Sequence, residues 1–111
     1  MEKQEEQRYK LKFMFDWGSG VCLWALNEAA KKKFCDYSVE VKNLPVSQEL
    51  KSDLYHLIDY HDDAFDWNNP GRDLLWDQDQ IGVFLAEAKD VYYVLCKELG
   101  PEYDVEFVAE M

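Results

Sequence analysis

The chain has 111 residues, 48% of them hydrophobic, which is enough for one domain with its own apolar core. Its formal net charge of -11 lies in residues 43–111, where acidic residues exceed basic ones by 12, whereas residues 1–42 are nearly balanced. The negative electrostatic field of these residues repels phosphate backbones and anionic lipids, so it disfavours direct binding to nucleic acids or membranes. It favours encounter with a cationic protein, although a merely soluble acidic protein has the same charge.

No stretch near the N-terminus has the length and apolarity of a signal peptide, and no later segment predicts a membrane span. We therefore expect a cytoplasmic protein. The three cysteines, Cys22, Cys35 and Cys96, are far apart and follow no metal-binding or disulfide pattern. We expect each of them to be a reduced, buried, small apolar residue.

The first predicted element is a β-hairpin followed by a short helix. Residues 8–17, RYKLKFMFDW, alternate apolar and polar side chains as a half-buried strand does. GSG at 18–20 predicts a turn, and VCLWAL at 21–26 is apolar on both faces, which is typical of a strand inside a sheet. Asn27 is a suitable N-cap for a helix over 28–34, whose three lysines would lie where the helix dipole favours cations.

Two longer helices are predicted next. Ser47 can cap a helix whose apolar residues recur at helical spacing as far as Phe65. After a break at NNPG, residues 68–71, the pair Asp77 and Gln80 forms a capping-box pattern ahead of a second apolar stripe. The stripes consist of Leu50, Leu54, Leu57, Ile58, His61, Ala64 and Phe65, and of Ile81, Phe84, Leu85, Ala88, Val91, Tyr92, Leu95 and Leu99.

Gly100 and Pro101 predict the end of the second long helix, and the alternation in residues 102–108, EYDVEFV, predicts a strand that joins the hairpin. The chain is therefore predicted to be a single α+β domain over residues 1–111, with residues 1–7 disordered. We expect a small antiparallel sheet, made by the N-terminal hairpin and the C-terminal strand, packed by two long helices and one short helix.

Residues 55–67, YHLIDYHDDAFDW, contain two histidines whose spacing argues against a shared metal ion. His56 and His61 are five residues apart, about 140° around a helix, whereas helical metal ligands are typically four residues apart. His61 lies on the apolar side and is expected to be buried with a hydrogen-bond partner. No catalytic, metal-binding or cofactor-binding motif is present, so none is predicted. A small metal-dependent hydrolase using His56, His61 and Asp62 is the enzyme-class alternative.

Four aspartates in the same stretch form the candidate binding face. Asp59, Asp62, Asp63 and Asp66 are spaced i, i+3, i+4 and i+7, so one helix would carry them as a single carboxylate stripe opposite the core. Like charges at this spacing destabilise a helix by a few tenths of a kcal/mol per pair, and no Lys or Arg lies between Lys51 and Arg72 to offset them. This pattern is typical of a face that binds Lys and Arg, and equally of an ordinary solvated helix face.

Aromatic and basic side chains flank the stripe and complete the predicted partner-binding set. Tyr55, Trp67, Arg72 and Trp76 lie on the helix or in the loop after it, where tyrosine and tryptophan can anchor an interface that charge steers. Trp67 and Trp76 are equally well explained as residues that close the core.

These blocks, FMFDWGSGVCLWALNEAA and LPVSQELKSDLYHLIDYHDDAFDWNNP, resemble the small acidic immunity proteins of bacterial polymorphic toxin systems, including contact-dependent growth inhibition and Rhs systems. The resemblance covers most of the chain. It implies a protein that binds its cognate toxin domain, often a basic nuclease, and blocks it sterically and electrostatically. The binding-class alternative is an acidic nucleic-acid mimic that inhibits a DNA-binding protein.

Overall fold

The computed structural model describes residues 8–69 and 74–108. Residues 1–7, for which disorder was predicted, lie outside these ranges, as does Arg72. In chain order the elements are β1 (Tyr9–Phe13), β2 (Leu23–Ala25), α1 (Glu28–Phe34), β3 (Ser38–Val39), a 3-10 turn (Val41–Asn43), α2 (Gln48–Asp62), α3 (Gln78–Leu99) and β4 (Tyr103–Phe107). The α+β class, with two long helices and a short one, is confirmed.

The four strands form one sheet in the order β3-β2-β1-β4. The predicted hairpin is present, since β1 and β2 pair antiparallel, with Leu11 opposite Ala25 and Phe13 opposite Leu23. Because side chains alternate along a strand, these four residues lie on one face, and all four are buried.

The C-terminal strand joins the sheet as predicted but in the opposite direction. β4 runs parallel to β1, with Tyr9 opposite Tyr103 and Phe13 opposite Phe107, so the sheet is mixed and the expectation of a purely antiparallel sheet was wrong. The alternation of apolar residues determines which face a side chain occupies, and it is the same for both strand directions. Pairing direction therefore could not be deduced from the pattern.

One apolar core connects the sheet to the helices. α3 packs against both α2 and β4. The larger side chains with under 2% exposure are Leu11, Phe13, Leu23, Val39, Val41, Leu50, Leu54, Leu57, Phe84 and Leu95. Burying one such leucine or phenylalanine stabilises the fold by about 1.5–3 kcal/mol, so the two helical stripes and the strand alternation account for the association of these elements.

The helices begin at the predicted caps. Asn27 accepts a hydrogen bond from the Ala30 amide, and the capping box of Asp77 and Gln80 is complete. Ser47 caps α2 and is itself fixed by the far end of α3: the Glu98 carboxylate accepts hydrogen bonds from the Ser47 amide at 2.8 Å and from its hydroxyl at 3.0 Å. The start of α2 is thereby tied to the end of α3.

The three cysteines differ in exposure, and the expectation that all are buried is confirmed only for Cys22. Cys22 is fully buried, which raises the pKa of its thiol and keeps it unreactive. Cys96 is half-buried, whereas Cys35 is exposed and ends α1 with φ 63°, a left-handed conformation that favours glycine. At the end of a helix, the residue must fit the backbone conformation there. The apolar character of a cysteine therefore does not by itself predict that it is buried at such a position.

We expect Cys35→Gly to raise the free energy of unfolding by roughly 0.5–1 kcal/mol, because relief of left-handed strain exceeds the greater entropy of glycine in the unfolded chain. Urea denaturation under reducing conditions measures the effect. Cys35→Ala is the matched control, since it removes the thiol but keeps Cβ, and it should change stability little. An equal gain in both variants would trace the effect to the thiol and contradict the conformational explanation.

Candidate functional site

The predicted acidic face lies where three segments meet: the C-terminal end of α2, the turn between β1 and β2, and the chain that follows α2. α2 ends at Asp62, earlier than the apolar spacing suggested, because the amides of Ala64 and Phe65 bond to carbonyls three residues back, at 3.1 and 3.2 Å. Asp66 therefore lies beyond the helix, and the predicted carboxylate stripe is not carried by a single helix.

Two tryptophan side chains cap this end of α2. A helix leaves its last carbonyls without partners inside the helix, and here no glycine follows to form a conventional cap. The Trp17 indole N–H donates to the carbonyl of His61 at 2.9 Å, and the Trp67 indole N–H donates to the carbonyl of Asp62 at 3.1 Å. Trp17 comes from the β1–β2 turn, so its hydrogen bond connects the sheet to the helix end.

The β1–β2 turn is fixed to the helix end by a second hydrogen bond. The Gly18 amide donates to the Asp62 carboxylate at 3.1 Å. Gly18 has φ 80°, and a Cβ atom placed there would be 3.3 Å from the ring of Trp67. Both the backbone conformation and the close approach of Trp67 therefore favour glycine at this position.

Aromatic rings fill the space beneath the carboxylates. Trp17 stacks on the imidazole of His61 with centroids 4.7 Å apart and on Phe65 at 5.5 Å, and Phe65 meets the edge of Trp67 at 4.6 Å. These contacts, with the two indole hydrogen bonds, hold Trp67 in place while leaving 55% of it exposed. The surface therefore presents a positioned aromatic side chain to solvent.

His61 is buried as predicted, with 1% exposure, but its environment differs from expectation. Its Nε2 atom has no hydrogen-bond partner within the described residues, so the predicted partner for this atom is not found. The imidazole instead packs as an aromatic ring against Trp17, Phe15 and Phe84. Burial lowers the pKa of His61, while the nearby carboxylates of Asp62 and Asp16 act in the opposite direction.

The carboxylates of this region differ in exposure and in hydrogen bonding. Asp59 and Asp63 are exposed, and within residues 8–69 and 74–108 neither takes part in an ion pair. Asp62 and Asp66 are half-buried and accept hydrogen bonds from the amides of Gly18 and Asn68. Asp16, in the turn beside Trp17, is exposed and close enough to influence His61. We call these five aspartates, together with Trp67, the acidic end.

Sequence reasoning missed two residues of this region. Asp16 was placed on the polar side of a strand, and only the docking of its turn onto α2 brings it to the other aspartates. Leu75 is 59% exposed, and its amide donates to the carbonyl of Ala64 at 2.7 Å, which holds the returning chain against the end of α2. No periodicity in the sequence indicates either position, because both depend on how loops dock.

The other predicted binding residues occupy different surroundings. Tyr55 is exposed on α2, one to two turns before the aspartates. Trp76 is half-buried and in ring contact with Tyr60 at 4.9 Å and Phe84 at 5.5 Å, so its contacts are with the core. Among the described residues, no group of three or more His, Cys, Asp or Glu side chains could hold a metal ion.

A comparison with models of protein families shows the family of the chain. Residues 9–110 match the model of the Serratia CdiI immunity protein-like family. The chain belongs to the Serratia CdiI immunity protein-like family. The resemblance to immunity proteins predicted from the sequence is thus confirmed, and membership implies that the partner of the chain is a cognate toxin. No curated protein matches the chain. Within the described residues, no helix is long and apolar enough to cross a membrane.

We expect acidification to destabilise the protein partly through His61. Because burial lowers its folded-state pKa below the ordinary value of about 6.5, the unfolded chain binds the proton more readily. The contribution of His61 to stability is therefore complete above that value and is lost as the pH falls below it. Urea unfolding between about pH 5 and 8 should show a smaller acid-induced loss for His61→Leu than for the wild type.

His56→Leu is the matched control, since it replaces an exposed imidazole on the same helix and leaves His61 in place. Equal pH dependence in the wild type and His61→Leu would contradict the assignment. A properly folded His61→Leu variant should also keep nearly wild-type affinity for the partner, because the imidazole is not on the surface.

Proposed function

We propose that this immunity protein neutralises a cationic toxin domain, such as a basic nuclease, by covering part of its surface with the acidic end. The partner-binding residues in this proposal are Asp59, Asp62, Asp63, Asp66, Tyr55, Trp67, Arg72 and Trp76, and we add Asp16 and Leu75 because they lie in the same region. The proposal combines family membership with the charge of this region. Blockade is steric and electrostatic, and it requires no chemistry from the immunity protein.

The observation that supports the proposal most directly is that carboxylates accumulate at a helix C-terminus. The helix dipole is negative there, so Asp59, Asp62 and Asp63 are placed against its field, at a cost of typically 0.3–1 kcal/mol for each charge. Stability alone would favour Lys or Arg at these positions. Binding of a cationic partner would offset both the unfavourable interaction with the dipole and the mutual repulsion of the carboxylates. This would explain why acidic residues lie here despite their cost in stability.

Trp67 and Leu75 provide the apolar part of the proposed contact. Interfaces gain most of their affinity from a few apolar or aromatic anchors that lose water, surrounded by polar groups. The exposed ring of Trp67 is already held by its hydrogen bond to Asp62, so little side-chain freedom is lost on binding. The charge of the aspartates would then speed association with the toxin, and Trp67 would stabilise the complex once it has formed.

The test reverses the charge of two exposed aspartates at the end of α2. In Asp59→Lys/Asp63→Lys, we expect association with the toxin domain encoded beside this gene to slow by at least about tenfold at low salt and to lose most of its salt dependence. Stopped-flow or surface-based kinetics over a range of ionic strength give both quantities. The variant should remain folded or become slightly more stable, since it relieves repulsion and suits the dipole.

Glu87→Lys/Asp90→Lys is the matched control. It makes the same charge change on exposed positions in the middle of α3, which are not among the residues of the acidic end, so any slowing caused by net charge alone appears in both variants. Equal association rates for the two variants would count against the acidic end as the binding surface. Inhibition of several unrelated DNA-binding proteins by the wild type would instead favour the nucleic-acid mimic.

A further inference from the structure

An open groove runs beside the first half of α2, and its chemistry is opposite to that of the acidic end. It has a volume of about 550 Å³ and lies between the 3-10 turn and the helix. Its lining residues are Lys42, Gln48, Lys51, Ser52 and Tyr55. Two lysines, a serine, a glutamine and an exposed tyrosine therefore line one space, and none of these five residues is acidic.

Each of the two lysines of the groove has one polar contact. Lys51 Nζ donates to the carbonyl of Lys42 at 3.1 Å, which fixes its ammonium group across the groove. Lys42 Nζ lies 3.4 Å from the carboxylate of Glu40, outside the lining. The hydrogen bonds between Ser47 and Glu98 fix the adjacent start of α2. An anion entering the groove would meet partly ordered donors, so less side-chain freedom would be lost on binding.

The groove and the acidic end belong to one continuous strip of α2. Gln48, Ser52, Tyr55, Asp59 and Asp62 are spaced by four, three, four and three residues, which places them in line along one side of the helix. Tyr55 both lines the groove and precedes the first aspartate of the strip. At 1.5 Å per residue, the distance along the axis from Ser52 to Asp62 is about 15 Å, well within a protein interface of standard size.

We propose that the groove receives acidic side chains of the same toxin domain whose basic surface meets the acidic end. This inference rests on the proposed function and adds the second half of the recognition surface. The occupant follows from charge complementarity: Lys42 and Lys51 present donors to an Asp or Glu carboxylate, and Ser52 and Gln48 can bond its remaining oxygen lone pairs. The toxin surface that fits the strip carries basic residues at one end and acidic residues about 15 Å away.

A strip with opposite charges at its two ends determines how the partner is oriented. A uniformly acidic face would attract any basic protein in several orientations, whereas the lysines repel a basic surface that is shifted or reversed along α2. Such repulsion supplies specificity, because it weakens every alternative pose and every toxin that lacks the acidic counterpart. The acidic end gives attraction, and the groove selects among the proteins that it attracts.

The experiment measures the affinity of Lys42→Glu/Lys51→Glu for the toxin domain encoded beside this gene. We expect the dissociation constant to rise by at least about tenfold, mainly through faster dissociation. The control is Lys32→Glu/Lys89→Glu, which makes the same charge change at exposed positions on α1 and α3. By raising the net negative charge, the control should associate with a cationic toxin at least as fast as the wild type.

A neutral variant, Lys42→Gln/Lys51→Gln, keeps the test valid if the charge reversal disturbs folding. It removes both charges with little change in side-chain bulk, and urea unfolding checks that it is folded. Its dissociation constant should lie between those of the wild type and the reversed variant. Affinity equal to that of the Lys32/Lys89 control in both groove variants would overturn the proposal.

The two proposals fail in different ways. If the groove variants bind like the control while Asp59→Lys/Asp63→Lys slows association, the acidic end is the contact and the groove is not. If the wild-type protein does not bind the toxin domain at all, the proposed function itself is wrong.

Discussion

The hydrogen bond from the Trp17 indole to the carbonyl of His61 is the interaction on which the acidic end of the molecule depends. It joins a turn of the sheet to the last turn of α2, and the same indole stacks on the His61 ring, so one side chain supplies both a polar cap and apolar packing. Trp67 provides the second cap, to Asp62, from the chain that leaves the helix. The two indoles thus add side-chain hydrogen bonds to carbonyls that also accept from the amides of Ala64 and Phe65, at a helix end that has no glycine cap.

This capping explains how five aspartates can be gathered at a helix C-terminus without unfolding it. Carboxylates there oppose both one another and the dipole, and neutral N–H donors of large aromatic side chains satisfy the helix carbonyls without adding positive charge. Lysine or arginine caps would satisfy the same carbonyls but would cancel part of the negative potential at this end of the molecule. The choice of tryptophan therefore keeps the helix end stable and its negative potential intact. It also places one ring, that of Trp67, at the surface.

The sequence predicted local elements well and their docking poorly, for a physical reason. Side-chain periodicity and caps are local signals, so the hairpin, the capped helices and the burial of His61 were predictable from neighbouring residues. The direction of β4, the positions of Asp16 and Leu75, and the fit of Gly18 against Trp67 depend on contacts between distant segments. Asp66 was misplaced because an aromatic-rich helix end was read as further helix. The groove carries no motif, since its lysines come from two different elements.

The parallel pairing of β1 with β4 delays completion of the sheet while the chain is being synthesised. The register places Tyr9 beside Tyr103, so an inner strand of the sheet has a neighbour more than ninety residues further along the chain. Contacts of such high sequence separation fold slowly, because a long loop must close before they form. Synthesis at about 5–20 residues per second would leave one side of β1 uncovered for several seconds after it emerges. The sheet therefore cannot be completed until residues 103–107 have been made, and the open edge of β1 can pair with other strands before then.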